Sequence, residues 1–242
     1  RTSRAGRAHL EAYLEDYAYL AEGLIDLYEA GAPEQYLQAA VGLADRILSD
    51  FMDGEQGGFF TTAKQHEALI LRGREGADGA TPSGNAVAAS ALARLACHLD
   101  RQDWRDAAVG AIRAYGRQIT RYPRAFAKSL AVVDFLTEGP VELAFVGDGQ
   151  QAAAQALYRA VAEEYLPNRI IAATGSNTGS TLPLLQGKSV VAGLPALYIC
   201  RNFSCQRPVT DSNAVAEALR VHRSDAGTAD GRTETLLSGA QL

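Results

Sequence analysis

Residues Ala39-Ala40-Val41-Gly42 recur 68 positions later as Ala107-Ala108-Val109-Gly110. Working outward at the same offset, Ala18 falls on Ala86, Ala21 on Ala89, Leu24 on Leu92 and Leu27 on Leu95. Four consecutive identities without a gap, inside a longer match of 18–42 with 86–110, read as a true repeat rather than a chance alignment of Ala-rich helices.

Each copy reads as a helical hairpin. Leu10, Leu14, Tyr17, Ala21, Leu24 and Tyr28 step by four and three along one helical face. Tyr13, Leu20 and Leu27 add a second stripe, so this helix is expected to be covered on more than one side. Gly31 ends it and Pro33 opens the next, whose apolar face is Leu37, Ala40, Ala44, Ile47 and Phe51, with Asp45 and Arg46 opposite. The second copy repeats the scheme. Residues 85–93 carry no charge and suit a closely packed inner helix. Asp103 can cap the helix after it, with Trp104, Ala108, Ala111, Tyr115 and Ile119 on one face. A fifth helix is expected near 124–137. Alternating buried and half-exposed helices fit a solenoid or a closed α/α toroid. Solenoid repeats of the common types run about 33 to 47 residues. The longer period here comes from a polar excursion over 52–82, which favours the toroid.

Bulk composition bounds the rest. With 47% hydrophobic and 21% charged residues the chain is ordinary globular material. A net charge of −5 argues against nucleic acid as a partner. No apolar run approaches the roughly 20 residues of a membrane span. Arg1-Thr2-Ser3-Arg4 lacks a start Met and a signal-type apolar region, as expected of a piece that starts inside a longer chain. Cys97, Cys200 and Cys205 are too few for a disulfide framework, and a cytoplasmic, reducing setting is the expectation.

Two loops could carry chemistry. Asp53-Gly54-Glu55-Gln56-Gly57-Gly58-Phe59-Phe60-Thr61-Thr62 suits a tight β-type turn. Phe59 then either pins the loop by burial, or Phe59 or Phe60 stands on a cavity rim where an aromatic stacks on a sugar or base. In Asp78-Gly79-Ala80-Thr81-Pro82-Ser83-Gly84-Asn85, Thr81 and Pro82 read as N-cap and first helical residue, which puts Ser83 and Asn85 in the first turn. By the repeat, Asp16 and Tyr17 stand at the same level. Inner-helix N-termini on one side collect free N–H groups and suit oxygen-rich ligands. Asp16 and Asp78 are the candidate acid and base; Tyr17, Asp53, Phe59, Phe60, Ser83 and Asn85 are the candidate binding residues. The competing reading for each Asp is helix capping. His66 reads as a proton-transfer residue or, more often for a lone loop His, as simply solvated. No zinc-type spacing is present, and no metal or cofactor is expected.

From Pro140 the pattern changes. Val141–Val146 reads as a strand, Ala152–Leu166 as a helix, Arg169–Ala173 and Leu194–Cys200 as further strands, and Asn213–Val221 as a last helix: a β-α-β segment over 139–222 with parallel strands expected. Residues 147–152 spell G-x-G-x-x-A, but no acidic residue follows the second strand to hold a ribose, so a tight βα turn is the better reading. Cys200 and Cys205 stand as C-x₄-C, structural thiols or a regulatory pair. Residues 223–242 are polar and aperiodic and read as a disordered tail.

Several stretches, in this order and spacing, resemble one family: Leu14-Glu15-Asp16-Tyr17-Ala18, Leu27-Tyr28-Glu29-Ala30, Gly57-Gly58-Phe59-Phe60-Thr61-Thr62, Asp78 to Asn85, and Tyr198-Ile199-Cys200-Arg201-Asn202-Phe203-Ser204-Cys205. They resemble the C-terminal part of the thioredoxin-fused, spermatogenesis-associated protein family, whose bacterial members are mostly uncharacterised. The resemblance runs from about residue 10 to about 221. It implies an N-terminal thioredoxin-like domain, absent here, followed by an (α/α)₆ toroid of the six-hairpin glycosidase and sugar-epimerase type. Residues 1–138 are then the helical hairpins of an incomplete ring, which holds five expected helices where a full ring has twelve. Three functions stay open. One is a module that binds or processes carbohydrate by carboxylate acid/base chemistry, with a sugar-like small molecule as partner. Another is a non-catalytic binding or scaffold module serving the thioredoxin-like domain. The third is a redox role through Cys200 and Cys205, which needs their Cα atoms within about 7 Å of each other.

Overall fold

The computed structural model describes residues 2–66, 71–175, 180–202, 204–224 and 230–238. The chain divides into two compact units. One comprises Arg1–Ala96, Arg101–Leu136 and Gly231–Leu242; the other comprises Cys97–Asp100 and Thr137–Asp230. The fold is mainly α with a small mixed sheet.

The first unit opens with an antiparallel hairpin, β1 (Thr2–Arg4) and β2 (Arg7–His9), where a helix start near Leu10 was the expectation. Ala5 and Gly6 turn with φ of 51° and 74°. Such a two-residue turn matches the twist of paired strands, although Ala-Gly is not its usual signal. Leu10 is 74% exposed at φ 65°, off the helical face assigned to it. The repeats then follow as expected: α1 (Leu14–Glu29) with α2 (Gln35–Arg46), and α3 (Gly84–Leu99) with α4 (Gln102–Arg113). Ala18, Ala21, Ile25, Leu37, Ala40 and Ala44 are fully buried, as are Ala89, Leu92, Leu95 and Ala108. The expected continuous face from Trp104 to Ile119 breaks near Ala114–Tyr115 into α4 and α5 (Gly116–Arg121), and α6 (Ala127–Glu138) takes the place of the fifth helix.

The stretch expected to be a disordered tail contains α9 (Asp230–Ser238); its residues 225–229 and 239–242 lie outside the described ones. Tertiary contact places α9, not periodicity. Leu236 is buried, its carbonyl accepts from Arg113 Nε at 3.2 Å, and Gly116 lets the Leu237 carbonyl approach so closely that any Cβ there would clash.

In the second unit β3 (Val141–Val146) is flanked by β4 (Arg169–Thr174), parallel through the crossover helix α7 (Ala152–Ala162), and by β5 (Ala196–Arg201). The β-α-β expectation thus holds for β3–α7–β4, whereas β5 runs antiparallel to β3. A two-residue β6 (Ser204–Cys205) ends the order β4-β3-β5-β6. On one face Leu143, Phe145, Leu197 and Ile199 form a core with Leu157 and Val161 of α7 and with Val215 and Leu219 of α8 (Val215–Ser224). Phe145 stacks on Tyr158 at 3.9 Å, and burial pushes the Tyr158 phenol up to about 12. The other face is packed by a turn carrying the buried Leu184 and Leu185. The G-x-G-x-x-A segment is the βα turn expected: Gly147 sits at φ 129°, and a Cβ there would lie 2.9 Å from Pro195 Cα.

Candidate functional site

Asp53 organises the excursion. Its Oδ1 accepts the N–H groups of Glu55 (3.0 Å) and Gln56 (3.2 Å), the Asx-turn pattern that pairs an Asp with its own downstream backbone. Its Oδ2 meets Arg74 Nη1 at 2.6 Å, and the same guanidinium reaches the Gly57 carbonyl at 2.9 Å and Gln56 Oε1 at 2.6 Å. The Glu55 N–H, with that of Gln56 and the Arg74 charge, holds the Asp53 carboxyl below the usual carboxylate range against the effect of burial. Gly57 and Gly58 both take φ of 73°. A Cβ on Gly57 would stand 2.8 Å from the Gly110 carbonyl, so the loop tip needs glycine against the second Ala-Ala-Val-Gly segment.

The next two residues part company. Phe59 is 1% exposed. Its N–H donates to Asn85 Oδ1 at 2.8 Å, and Asn85 Nδ2 donates back to the Phe59 carbonyl at 2.9 Å and to the Glu75 carbonyl at 3.0 Å. Buried Asn85 thus satisfies the Phe59 backbone groups that the antiparallel Met52–Phe59 bridge leaves over. Phe60 instead lines an open cleft of about 640 Å³ together with Asp53, Gln56, Lys64, Arg72 and Arg74. The Arg72 guanidinium lies over its ring at 4.1 Å, a cation–π contact that also fixes the ring's orientation. Arg72 further donates to the Asp50 and Thr62 carbonyls.

The candidate acid and base have structural partners. Asp16 Oδ2 accepts the Tyr13 N–H at 2.9 Å at the start of α1, as in a capping box. Asp16 and Tyr17 line a separate cleft of about 390 Å³ beside Leu20 and Leu43, and Tyr17 packs on Phe51 with ring centroids 5.3 Å apart. Asp78 bridges two helices: Oδ1 accepts Ser83 N–H and Oδ2 accepts Lys128 N–H, each at 2.9 Å. Ser83, not Thr81, is the N-cap of α3, its Oγ accepting Ala86 N–H at 3.1 Å. The start moves two residues on because Asp78 already takes the Ser83 N–H. The structure therefore brings Asp53 and Phe60 to one cleft and Asp16 and Tyr17 to another. Asp78, Ser83, Asn85 and Phe59 line neither.

Sequence reasoning missed a polar cluster on the inner helices. Glu22 of α1 accepts from Ser90 Oγ of α3 at 2.7 Å and from Lys128 Nζ of α6 at 2.6 Å. One helical turn on, Arg94 pairs with Asp26 at 2.7 Å and Glu29 at 3.1 Å. Burial opposes the Arg94 charge, and the Glu29 and Asp26 carboxylates more than offset it. The repeat offset could have found both pairs, since Glu22 aligns with Ser90 and Asp26 with Arg94. Arg72, Arg74 and Lys64 of the cleft had no such signal.

The chain is similar to spermatogenesis-associated protein 20 of Homo sapiens, 31% identical over 204 residues that cover 82% of this chain and 26% of that protein. The Mus musculus protein of the same name is 32% identical over the same shares. An uncharacterised Caenorhabditis elegans protein is 27% identical over 205 residues, 84% of this chain and 28% of its own length. The chain spans about a quarter of the length of these curated relatives. No family model matches it.

Proposed function

Taking the chain as a homologue of the spermatogenesis-associated protein 20 family, we propose that it forms the last hairpins of an (α/α)₆ toroid and holds a sugar-like small molecule without turning it over. The toroid belongs to a longer protein that also carries a thioredoxin-like domain. Support for the ring comes from an internal comparison. Leu27 of α1 is 44% exposed and Leu20 55%, whereas their repeat equivalents in α3, Leu95 and Ala88, are fully buried. In the longer protein a preceding hairpin covers α1 as α3 is covered here.

Binding rests on one observation: Phe60 lines a cleft of about 640 Å³, with the Arg72 guanidinium over its ring. A flat aromatic face with convergent polar groups is a common way to hold a hydroxyl-rich ring. Lys64, Arg72 and Arg74 against Asp53 and Glu55 favour an acidic substituent on that ligand. The capping bonds of Asp16 and Asp78 weigh for binding over hydrolysis or epimerisation. The test is a calorimetric panel of neutral sugars, sugar acids and sugar phosphates against the chain and its Phe60→Ala variant. At least one acidic member should bind, and at least ten-fold more weakly to the variant. A panel without binders, or binding indifferent to Phe60→Ala, would sink the reading.

A further inference from the structure

In the second unit, Cys200 and Cys205 face each other across β5 and β6 with Cα atoms 4.0 Å apart, and a disulfide joins them. The bond is asymmetric in access: Cys200 is fully buried, while Cys205 is exposed on the strand that ends the sheet. The turn between the strands includes Asn202 at φ 50°; Phe203 lies outside the described residues.

This bond closes a short loop. A cross-link's stabilisation grows with the logarithm of the loop it closes, so one spanning five positions lies at the low end of what a disulfide contributes. The same strands are already joined by Gln206 N–H to the Ile199 carbonyl at 3.0 Å. Beyond the hairpin, Leu197 and Val209 exchange two backbone hydrogen bonds of 2.8 Å, so the chain stays anchored with the sulfurs apart. Nor is the surrounding face an inert apolar slot. Glu142, 5% exposed, is the register partner of Cys200 on β3. Tyr198 precedes Cys200 by two on the same face, and Lys188 stands 5.9 Å from its ring. Disulfides with an exposed sulfur are the labile ones, whereas structural disulfides resist reduction.

We propose that Cys200 and Cys205 form a thiol–disulfide exchange site whose substrate is a dithiol with its two thiols spaced to close an unstrained intramolecular disulfide. A thiolate of the dithiol attacks Cys205 Sγ and forms a mixed disulfide there. The Cys200–Cys205 bond breaks, and its electron pair leaves on Cys200 Sγ, which takes up a proton. The second thiolate of the dithiol then attacks the substrate sulfur of the mixed disulfide. That closes the substrate's own disulfide and releases Cys205 as a thiolate. Two electrons pass to the pair: the dithiol is oxidised and the cysteines are reduced.

The experiment uses the whole chain with Cys97→Ser, so that the thiol count reports this pair alone. Dithiothreitol is added, the reaction is quenched by alkylation at intervals and weighed by mass spectrometry, and circular dichroism is followed in parallel. Two thiols should appear within minutes with the spectrum unchanged, and oxidised dithiothreitol should restore the bond. Glutathione as a monothiol probe should give a mixed disulfide that maps to Cys205. Three results would overturn the proposal: reduction only when urea unfolds the chain, a glutathione adduct on Cys200, or thiols that oxidised dithiothreitol does not rejoin.

Discussion

Ser90 Oγ donates a 2.7 Å hydrogen bond to Glu22 Oε1, and the two residues hold the same position in successive repeats. The Arg94–Asp26 pair obeys the same rule one turn further on. Inner helices α1 and α3 therefore meet in register, with like positions opposed, and the polar members of that contact differ between copies so that acceptor faces donor. Identical residues at those positions would have set carboxylate against carboxylate.

Glu22 is the hub of this contact, because Lys128 Nζ shares its Oε1. The side chains of Glu22 and Lys128 are 18% and 25% exposed, so screening is partial. Removing the carboxylate strands both a hydroxyl and an ammonium, and hydrogen bonds to charged groups are worth about 1.5–3 kcal/mol. Glu22→Ala is expected to cost about 2–3 kcal/mol in urea unfolding and Ser90→Ala about 1 kcal/mol, with the double variant less costly than their sum. Strict additivity would mean that the bond is not formed in solution.

Asp78 joins the starts of α3 and α6 through one oxygen each. Helix N-termini leave N–H groups without intrahelical partners, and losing one side-chain cap costs roughly 1 kcal/mol. Asp78→Ala should then lower stability by about 2 kcal/mol, and Asp78→Asn, which keeps one acceptor oxygen, by about half that. An acid/base residue would show the reverse pattern: lost turnover with little change in the unfolding midpoint.

The depressed carboxyl of Asp53 makes a pH prediction of definite sign. Its folded value lies below the ordinary 3.8, so the unfolded chain takes up the proton first as pH falls. Its contribution to stability is complete above that ordinary value and is lost as pH drops through the lower folded value. Wild type should therefore exceed Asp53→Asn in stability at neutral pH, with the gap closing below about pH 3.8 in acid unfolding followed by fluorescence. Equal stability of the two proteins at every pH would contradict the turn described here.

The helical half was legible because burial in a hairpin forces a 3.6-residue period, and the repeat exposed the shared frame of α1–α2 and α3–α4. What escaped either had no apolar pattern to read or was set by contacts distant in sequence. β1 and β2 carry Arg, Ser and Thr with no apolar alternation, and α9 has a weak apolar face that only its seat explains. Of the candidate residues, Asp53 and Phe60 line one cleft because one turn holds both. Asp16 was grouped with Asp78 by helix level alone. Level along an axis does not fix which way a side chain points: Asp16 turns back to its own N-cap, and Asp78 is drawn to α6. Asn85 read as a ligand-facing residue because its partner, the Phe59 backbone, lies 26 positions away.

The repeat also supplies a control for the proposed ring. Leu27 and Leu95 are equivalent, yet the first is 44% exposed and the second fully buried. Truncating a buried Leu costs about 2–5 kcal/mol, while surface substitutions stay within about 0.5 kcal/mol. In this chain Leu95→Ala should fall in the first range and Leu27→Ala in the second. In a full-length parent protein Leu27→Ala should move into the range of Leu95→Ala, because a preceding hairpin then covers α1. Unfolding of both variants in both lengths measures this directly. If Leu27→Ala stays neutral in the long form, the face of α1 is solvent-exposed there too, and the hairpins do not continue into a ring.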